Sequence, residues 1–158
     1  GPREGQNVPV ATDTHVTGVL VHDSGALSTL VMSFDAVKTK SPNIEIHGEH
    51  GSLVVPDPNH FDGDVQLFAL GADDWETLPV SAGYVESGRG FGISDLIRTP
   101  AGQEPRAGGA LAFHALEVME SVLESAHTGA PVRIGSTVAR PAPVELTDLT
   151  AAAVGVSS

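Results

Sequence analysis

Apolar and polar positions alternate along residues 14–35, with one interruption. The run THVTGVLVH at 14–22 is rich in β-branched residues and predicts a strand. DSG at 23–25 is a turn signal, and ALSTLVMSFD at 26–35 predicts a returning strand with Leu30, Met32 and Phe34 on one face. Around Gly48-Glu49-His50-Gly51, the pairs Ile44/Ile46 and Leu53/Val55 predict a hairpin with glycines permitting the reversal. VQLFAL at 65–70 and WETLPV at 75–80 predict another strand pair, joined by GADD. The period then changes. A short helix is expected over about Ile93–Arg98, stopped at Thr99-Pro100 because a residue before proline avoids the α region. Leu111, Ala115, Val118, Val122 and Ala126 recur at helical spacing over 110–127, with Glu117, Glu120 and Glu124 on another side. Gly129 and Pro131 supply the stop, and VRI at 132–134 predicts a last strand.

Strands followed by helices, rather than alternating with them, define an α+β class. The expected architecture is a mostly antiparallel, open-faced sheet packed against helices, with one long helix late in the chain. Residues 1–13 read as an irregular arm, 14–146 as the α+β domain and 147–158 as a frayed tail. The sequence does not open on Met and reads as a piece of something longer.

Composition narrows the function classes. The 158 residues suffice for one ordinary domain, and the formal charge is −12 with eight Lys and Arg. Such an acidic surface repels nucleic acid and anionic membrane, so neither is an expected partner. The chain has no Cys, which removes disulfides, zinc–thiolate sites and a thiol nucleophile and fits a reducing cytoplasm. No apolar run approaches a membrane span, and no signal peptide is visible.

Candidate chemistry concentrates in two stretches. IEIHGEHGSLVVPDPNH at 44–60 carries His47, His50 and His60 among Glu45, Glu49 and Asp57. A catalytic zinc site needs three placed ligands with a supporting shell. Here the bland alternative, polar residues on a solvated hairpin, is favoured, and no metal ligand is assigned. DPNHFDGD at 57–64 fails as a calcium loop, because Phe61 and Asp62 occupy the fifth and glycine places. SGRGFG at 87–92 precedes a helix but spaces its glycines G-x-G-x-G, without the strand-linked G-x-G-x-x-G of a dinucleotide fold. An anion can still meet Arg89 and the helix start there. His114, at the edge of the long helix's apolar stripe, reads as a packing residue. No G-x-S-x-G elbow or H-E-x-x-H helix occurs, so no catalytic residue is assigned.

The segments THVTGVLVHDSGALSTLVMSFD, IEIHGEHGSLVVPDPN, RGFGISDL, LAFHALEVMESVLESAHTGAPV and RPAPVEL occur in this order. Together they resemble the C-terminal domain of the glucose–fructose oxidoreductase / inositol dehydrogenase / MocA family (Gfo/Idh/MocA), over about residues 14–146. The resemblance implies an open-faced sheet that makes a homo-oligomer interface and helps enclose a sugar, inositol or related polyol. In the family a separate N-terminal Rossmann domain binds NAD or NADP, and hydride passes between substrate and nicotinamide. It further implies that the loop 82–92 approaches the substrate. Tyr84 and Arg89 are then the expected hydrogen-bonding residues, and Phe91 the pocket wall. The chain departs from the family by lacking the Glu-Lys-Pro motif, its lysines being Lys38 and Lys40 alone. The family's histidine motif is expected upstream of residue 1. The expected function is therefore the substrate-side and oligomerisation part of an NAD(P)-dependent oxidoreductase, with the Rossmann cofactor domain outside this chain. These residues alone are expected to bind no cofactor and to catalyse nothing. The competing readings are a stand-alone binding or assembly module and, further off, a metal-dependent enzyme built on the histidine hairpin.

Overall fold

The computed structural model describes residue 2 and residues 4–84 and 87–147. The tail expected over 147–158 lies, apart from Thr147, outside the described residues. The protein is α+β; among the described residues there are six antiparallel strands in two open sheets and two helices. Its contacts cluster into two units interleaved along the chain: described residues within 1–39 and 112–138, and those within 40–111 and 139–158.

The first unit holds β1 (His15–Val21), β2 (Leu27–Ser33) and most of α2 (Gly109–Thr128). The β1 and β2 strands pair antiparallel, Gly18 opposite Leu30 and Val16 opposite Met32. Alternation buries one face by half, with Val16, Gly18, Leu20 and Leu30 inward. The opposite face leaves Val19, Val21, Leu27 and Val31 more than 60% exposed. Of the residues foreseen on one face, Leu30 is half-buried, Met32 is 67% exposed and Phe34, one residue past the end of β2, is 95% exposed, so the covered part of that face ends at Leu30. A Cβ at Gly18 would stand 3.3 Å from Val122 Cγ1, which identifies the helix as the cover of the inward face.

The arm and the helix meet in the same unit. His127 Nε2 lies 2.9 Å from Asp13 Oδ2 at the last turn of α2. The described residues of 1–13 form neither helix nor strand. Gly129, at φ 68°, closes α2 by donating to Ser125 O at 2.9 Å, a left-handed ending that a side chain would disfavour. Of the stripe foreseen through Leu111, Ala115, Val118, Val122 and Ala126, Leu111, Val118 and Val122 are half-buried but Ala115 and Ala126 are exposed, and Phe113, Leu116 and Met119 form a further apolar side that stays at least half exposed. The predicted strand at 132–134 does not form. Glu117 instead takes the backbone of the following residues, accepting from Gly135 N–H and Ser136 N–H at 2.8 Å each. A carboxylate supplies there the acceptors that a strand partner would have supplied.

The second unit holds the four-stranded antiparallel sheet β3 (Ile44–Gly48), β4 (Gly51–Val55), β5 (Gln66–Ala69) and β6 (Glu76–Thr77), in that order, and α1 (Phe91–Arg98). The β6 strand is shorter than the run 75–80, because Pro79 removes a ladder donor. Ile44, Ile46, Leu53, Val55, Leu67 and Ala69 share one face by register. Phe68 and Trp75 pack edge to face, centroids 5.5 Å apart. Gly51 is required by close approach, since a Cβ there would fall 2.5 Å from the Phe68 carbonyl oxygen. Among the described residues no hydrophobic side chain is fully buried. The apolar faces are assembled but only partly covered.

Candidate functional site

The loop that precedes α1 is fixed at both ends. Gly83, at φ 97°, donates its N–H to Val144 O and accepts from Thr147 N–H, both at 2.9 Å. A glycine is suited to this double engagement because L side chains avoid such a φ. Arg106 secures the same return segment, Nε donating to Ala142 O at 3.0 Å while Nη1 pairs with Asp95 on α1. The sequence RPAPVEL thus contributes a strap along the loop, with bridges at Ala82–Glu145 and Tyr84–Thr147. At the loop's other end Gly90 caps α1 at φ 106°, and Thr99 ends the helix in an extended conformation before Pro100. The helix begins at Phe91, two residues before the expected start, because Gly90 provides the turn.

Of the three residues expected to meet substrate, two are in contact. Tyr84 and Phe91 pack ring against ring, centroids 4.8 Å apart and tilted by 47°, both half-buried. Arg89 is exposed and does not join that pair. Its Nη2 donates to Asn59 Oδ1 at 3.3 Å, and its Cζ lies 6.0 Å from the centre of the Phe61 ring. Ser87 Oγ donates to Phe61 O at 3.4 Å. Val85 and Glu86, within the loop, lie outside the described residues. The loop thus carries two sets of groups, a phenol with a phenyl ring at Tyr84–Phe91 and a guanidinium with an amide, a ring and a hydroxyl around Arg89, each of a kind suited to recognition. Asn59 and Phe61 were not foreseen. They come from the turn weighed above only as a calcium loop, and nothing local in the sequence joins that turn to a loop about thirty residues on.

The histidine hairpin forms as expected, but His47 and His60 find separate partners. Glu45 and His47 are two apart on β3, so they share a face, with His47 Nε2 3.9 Å from Glu45 Oε2. His47 Nδ1 lies 2.9 Å from Ser52 Oγ directly across the ladder. His60 Nε2 stands 4.0 Å from Asp57 Oδ2, whose Oδ1 accepts from Asn59 N–H at 2.8 Å. His50 sits at the hairpin tip and, with Ile46, Leu53, Leu67 and Ala69, borders an open apolar hollow of about 400 Å³. This hollow is separate from the ring pair; its residues are a sheet face and a turn, with few groups to orient a ligand. Among the described residues no cluster of three or more His, Asp or Glu is gathered as a metal site.

His114, in the first unit, has polar company. Its Nδ1 lies 2.7 Å from Ser136 Oγ. Glu117, one turn along α2, is held below its ordinary carboxyl range, first by the Ser136 hydroxyl, then by the Gly135 and Ser136 N–H groups. The carboxylate contacts the serine rather than the imidazole, so this is not the arrangement in which an acid orients a histidine to activate a serine. It is a clamp between the helix and residues 135–136.

Comparison of the chain with protein-family models, curated proteins and solved structures returns no match. Among the described residues no helix is long and apolar enough to cross a membrane.

Proposed function

We propose that this chain is the substrate-side and oligomerisation domain of an NAD(P)-dependent oxidoreductase acting on sugars, inositols or related polyols, in a reducing cytoplasm. NAD or NADP would be held by a Rossmann domain outside these residues. The observation that carries the reading is the strapped loop, with Tyr84 and Phe91 as a ring pair and Arg89 held beside the 59–61 turn. The ring pair offers a wall to the apolar face of a sugar ring, while the phenol and guanidinium offer hydrogen bonds to hydroxyls. Hydride chemistry would come from the cofactor, and this chain's part would be to hold and orient the substrate. The uncovered apolar faces of both sheets support a homo-oligomer, because such faces are stabilised when a second surface excludes water from them.

The same exposed faces favour a second reading, a stand-alone binding or assembly module without catalysis. Titration of the chain with myo-inositol and D-glucose, followed by NMR of the Tyr84 and Phe91 rings, separates the two. The first reading expects saturable shifts that disappear in Tyr84→Ala and Phe91→Ala. Absence of any shift favours the assembly module. Equilibrium dialysis with NADH and NADPH is expected to show no retention, and retention would overturn the assignment to the substrate side. Sedimentation is expected to show a dimer or larger, and a monomer at high concentration would remove the oligomerisation role.

A further inference from the structure

We propose that two copies of this chain join edge to edge through β3, antiparallel about a two-fold axis at Ile46, so that Glu45 of each copy lies opposite His47 of the other. This names a surface for the oligomerisation role and rests on that role, not on the substrate loop. Among the described residues β3 is one edge of the four-stranded sheet, and all five of its residues are exposed. The other edge, β6, is two residues long with Pro79 close behind, which suits it poorly to accept a further strand.

The direction of the β3 backbone groups follows from the ladder. The two-residue reversal Glu49-His50 makes Gly48 and Gly51 a hydrogen-bonded pair. Antiparallel pairs alternate, so Ile46–Leu53 and Ile44–Val55 are hydrogen-bonded too, while His47–Ser52 and Glu45–Val54 are not. The next ladder agrees. Gly51 turns its own groups to β3, and the bond to the β5 side flanks the Gly51–Ala69 pair, Leu70 N–H donating to His50 O at 2.8 Å. The N–H and C=O groups of Glu45 and His47 therefore point away from β4, along the open side of the sheet.

A strand added there sets its own outward residues opposite these two. A two-fold pair centred on Glu45 places carboxylate against carboxylate, and one centred on His47 places imidazole against imidazole. Centred on Ile46, the pair places each Glu45 against the second copy's His47, matching acceptor to donor at both ends. His47 is prepared for this. Its Nδ1 is taken by Ser52 Oγ at 2.9 Å, while its Nε2 stands 3.9 Å from its own Glu45 Oε2, beyond a hydrogen bond. On the opposite face of the sheet the two Ile46 side chains meet, each at the rim of the apolar hollow it forms with Leu53, Leu67 and Ala69.

The test uses the chain's lack of cysteine. Ile46→Cys places its thiol directly across the two-fold from its counterpart, in a non-hydrogen-bonded pair with Cα atoms about 4.5 Å apart, within disulfide reach. Ile44→Cys, on the same face, leaves the two positions about 14 Å apart. Mild oxidation should trap Ile46→Cys as a covalent dimer and leave Ile44→Cys untrapped on a non-reducing gel. In sedimentation, His47→Glu should weaken dimerisation about tenfold by setting acid against acid. Adding Glu45→His to it should restore most of that loss, because the pair is complementary again with its ends exchanged. Equal trapping of both cysteine variants, or a loss that the second substitution does not restore, would overturn the proposal. An unaltered chain that dimerises while Ile46→Cys is not trapped would overturn it and leave the oligomerisation role to the sheet faces. A chain that stays monomeric at high concentration would overturn the proposal and that role together, leaving the edge to a strand of another protein.

Discussion

Gly18 in β1 and Gly51 in β4 both sit where a side chain would collide, but the obstacle differs. At Gly18 it is Val122 Cγ1 at 3.3 Å, an atom on the rim of α2. At Gly51 it is the Phe68 carbonyl oxygen at 2.5 Å, part of the neighbouring strand. A valine can shift by a few tenths of an ångström; a carbonyl in a ladder cannot move without breaking its pairing. The first unit therefore fits its sheet to its helix through side chains, and the second sets its hairpin tip through backbone. The clamps differ likewise. The first unit uses a carboxylate on two amides, and the second uses a guanidinium across a carbonyl and an acid.

The largest expected effect breaks the backbone side of this contrast. Gly51→Ala should lower stability by about 2–4 kcal/mol, read in urea by the fluorescence of Trp75, the chain's one tryptophan, which packs on Phe68. An unchanged midpoint would mean that β4 and β5 separate more readily than their register implies.

Next comes the first unit's clamp. Glu117 titrates below its ordinary value in the folded protein, so its contribution is complete above the unfolded value of about 4.5 and is lost as pH falls through the lowered folded one. The Gly135 and Ser136 amide signals should follow that step with a midpoint below 4.5. Glu117→Gln should shift both signals at neutral pH and abolish the step. A midpoint at the ordinary value would show that the three donors do not converge on the acid.

Arg106→Ala should cost about 1 kcal/mol, near the upper end for a partly exposed pair, because Asp95 is only 13% exposed while Arg106 is 41% exposed. Its more telling readout is faster hydrogen exchange at the Gly83 and Thr147 amides, since the strap would lose an anchor. Gly18→Ala should do least, within about 0.5 kcal/mol, as Val122 yields and the strand gains a better strand former. If Gly18→Ala cost as much as Gly51→Ala, the distinction between yielding and rigid contacts would fail.

The elements were legible because their signals are local. Alternation located β1 to β5, helical spacing located α2, and Thr99-Pro100 ended α1 where expected. What stayed hidden depends on distant partners. The final strand was misplaced because VRI has β character but does not pair with either sheet, while Glu117 takes up the amides just after it. The exposed side of α2 through Phe113, Leu116 and Met119 was masked by the acidic residues interspersed with them. In the loop, Tyr84, Arg89 and Phe91 were read from the family resemblance, and two of them do meet. Asn59 and Phe61 reach Arg89 only through the folded chain, so no local pattern announces them.

The interleaving of the first unit has a consequence for synthesis. The β1–β2 hairpin leaves the ribosome long before α2, whose Val122 fits over Gly18. At about 5–20 residues per second, the nascent hairpin waits several seconds with both faces bare. Within its own unit the first sheet to be made is the last to be sheltered, which makes this interval the stage at which a chaperone would matter most.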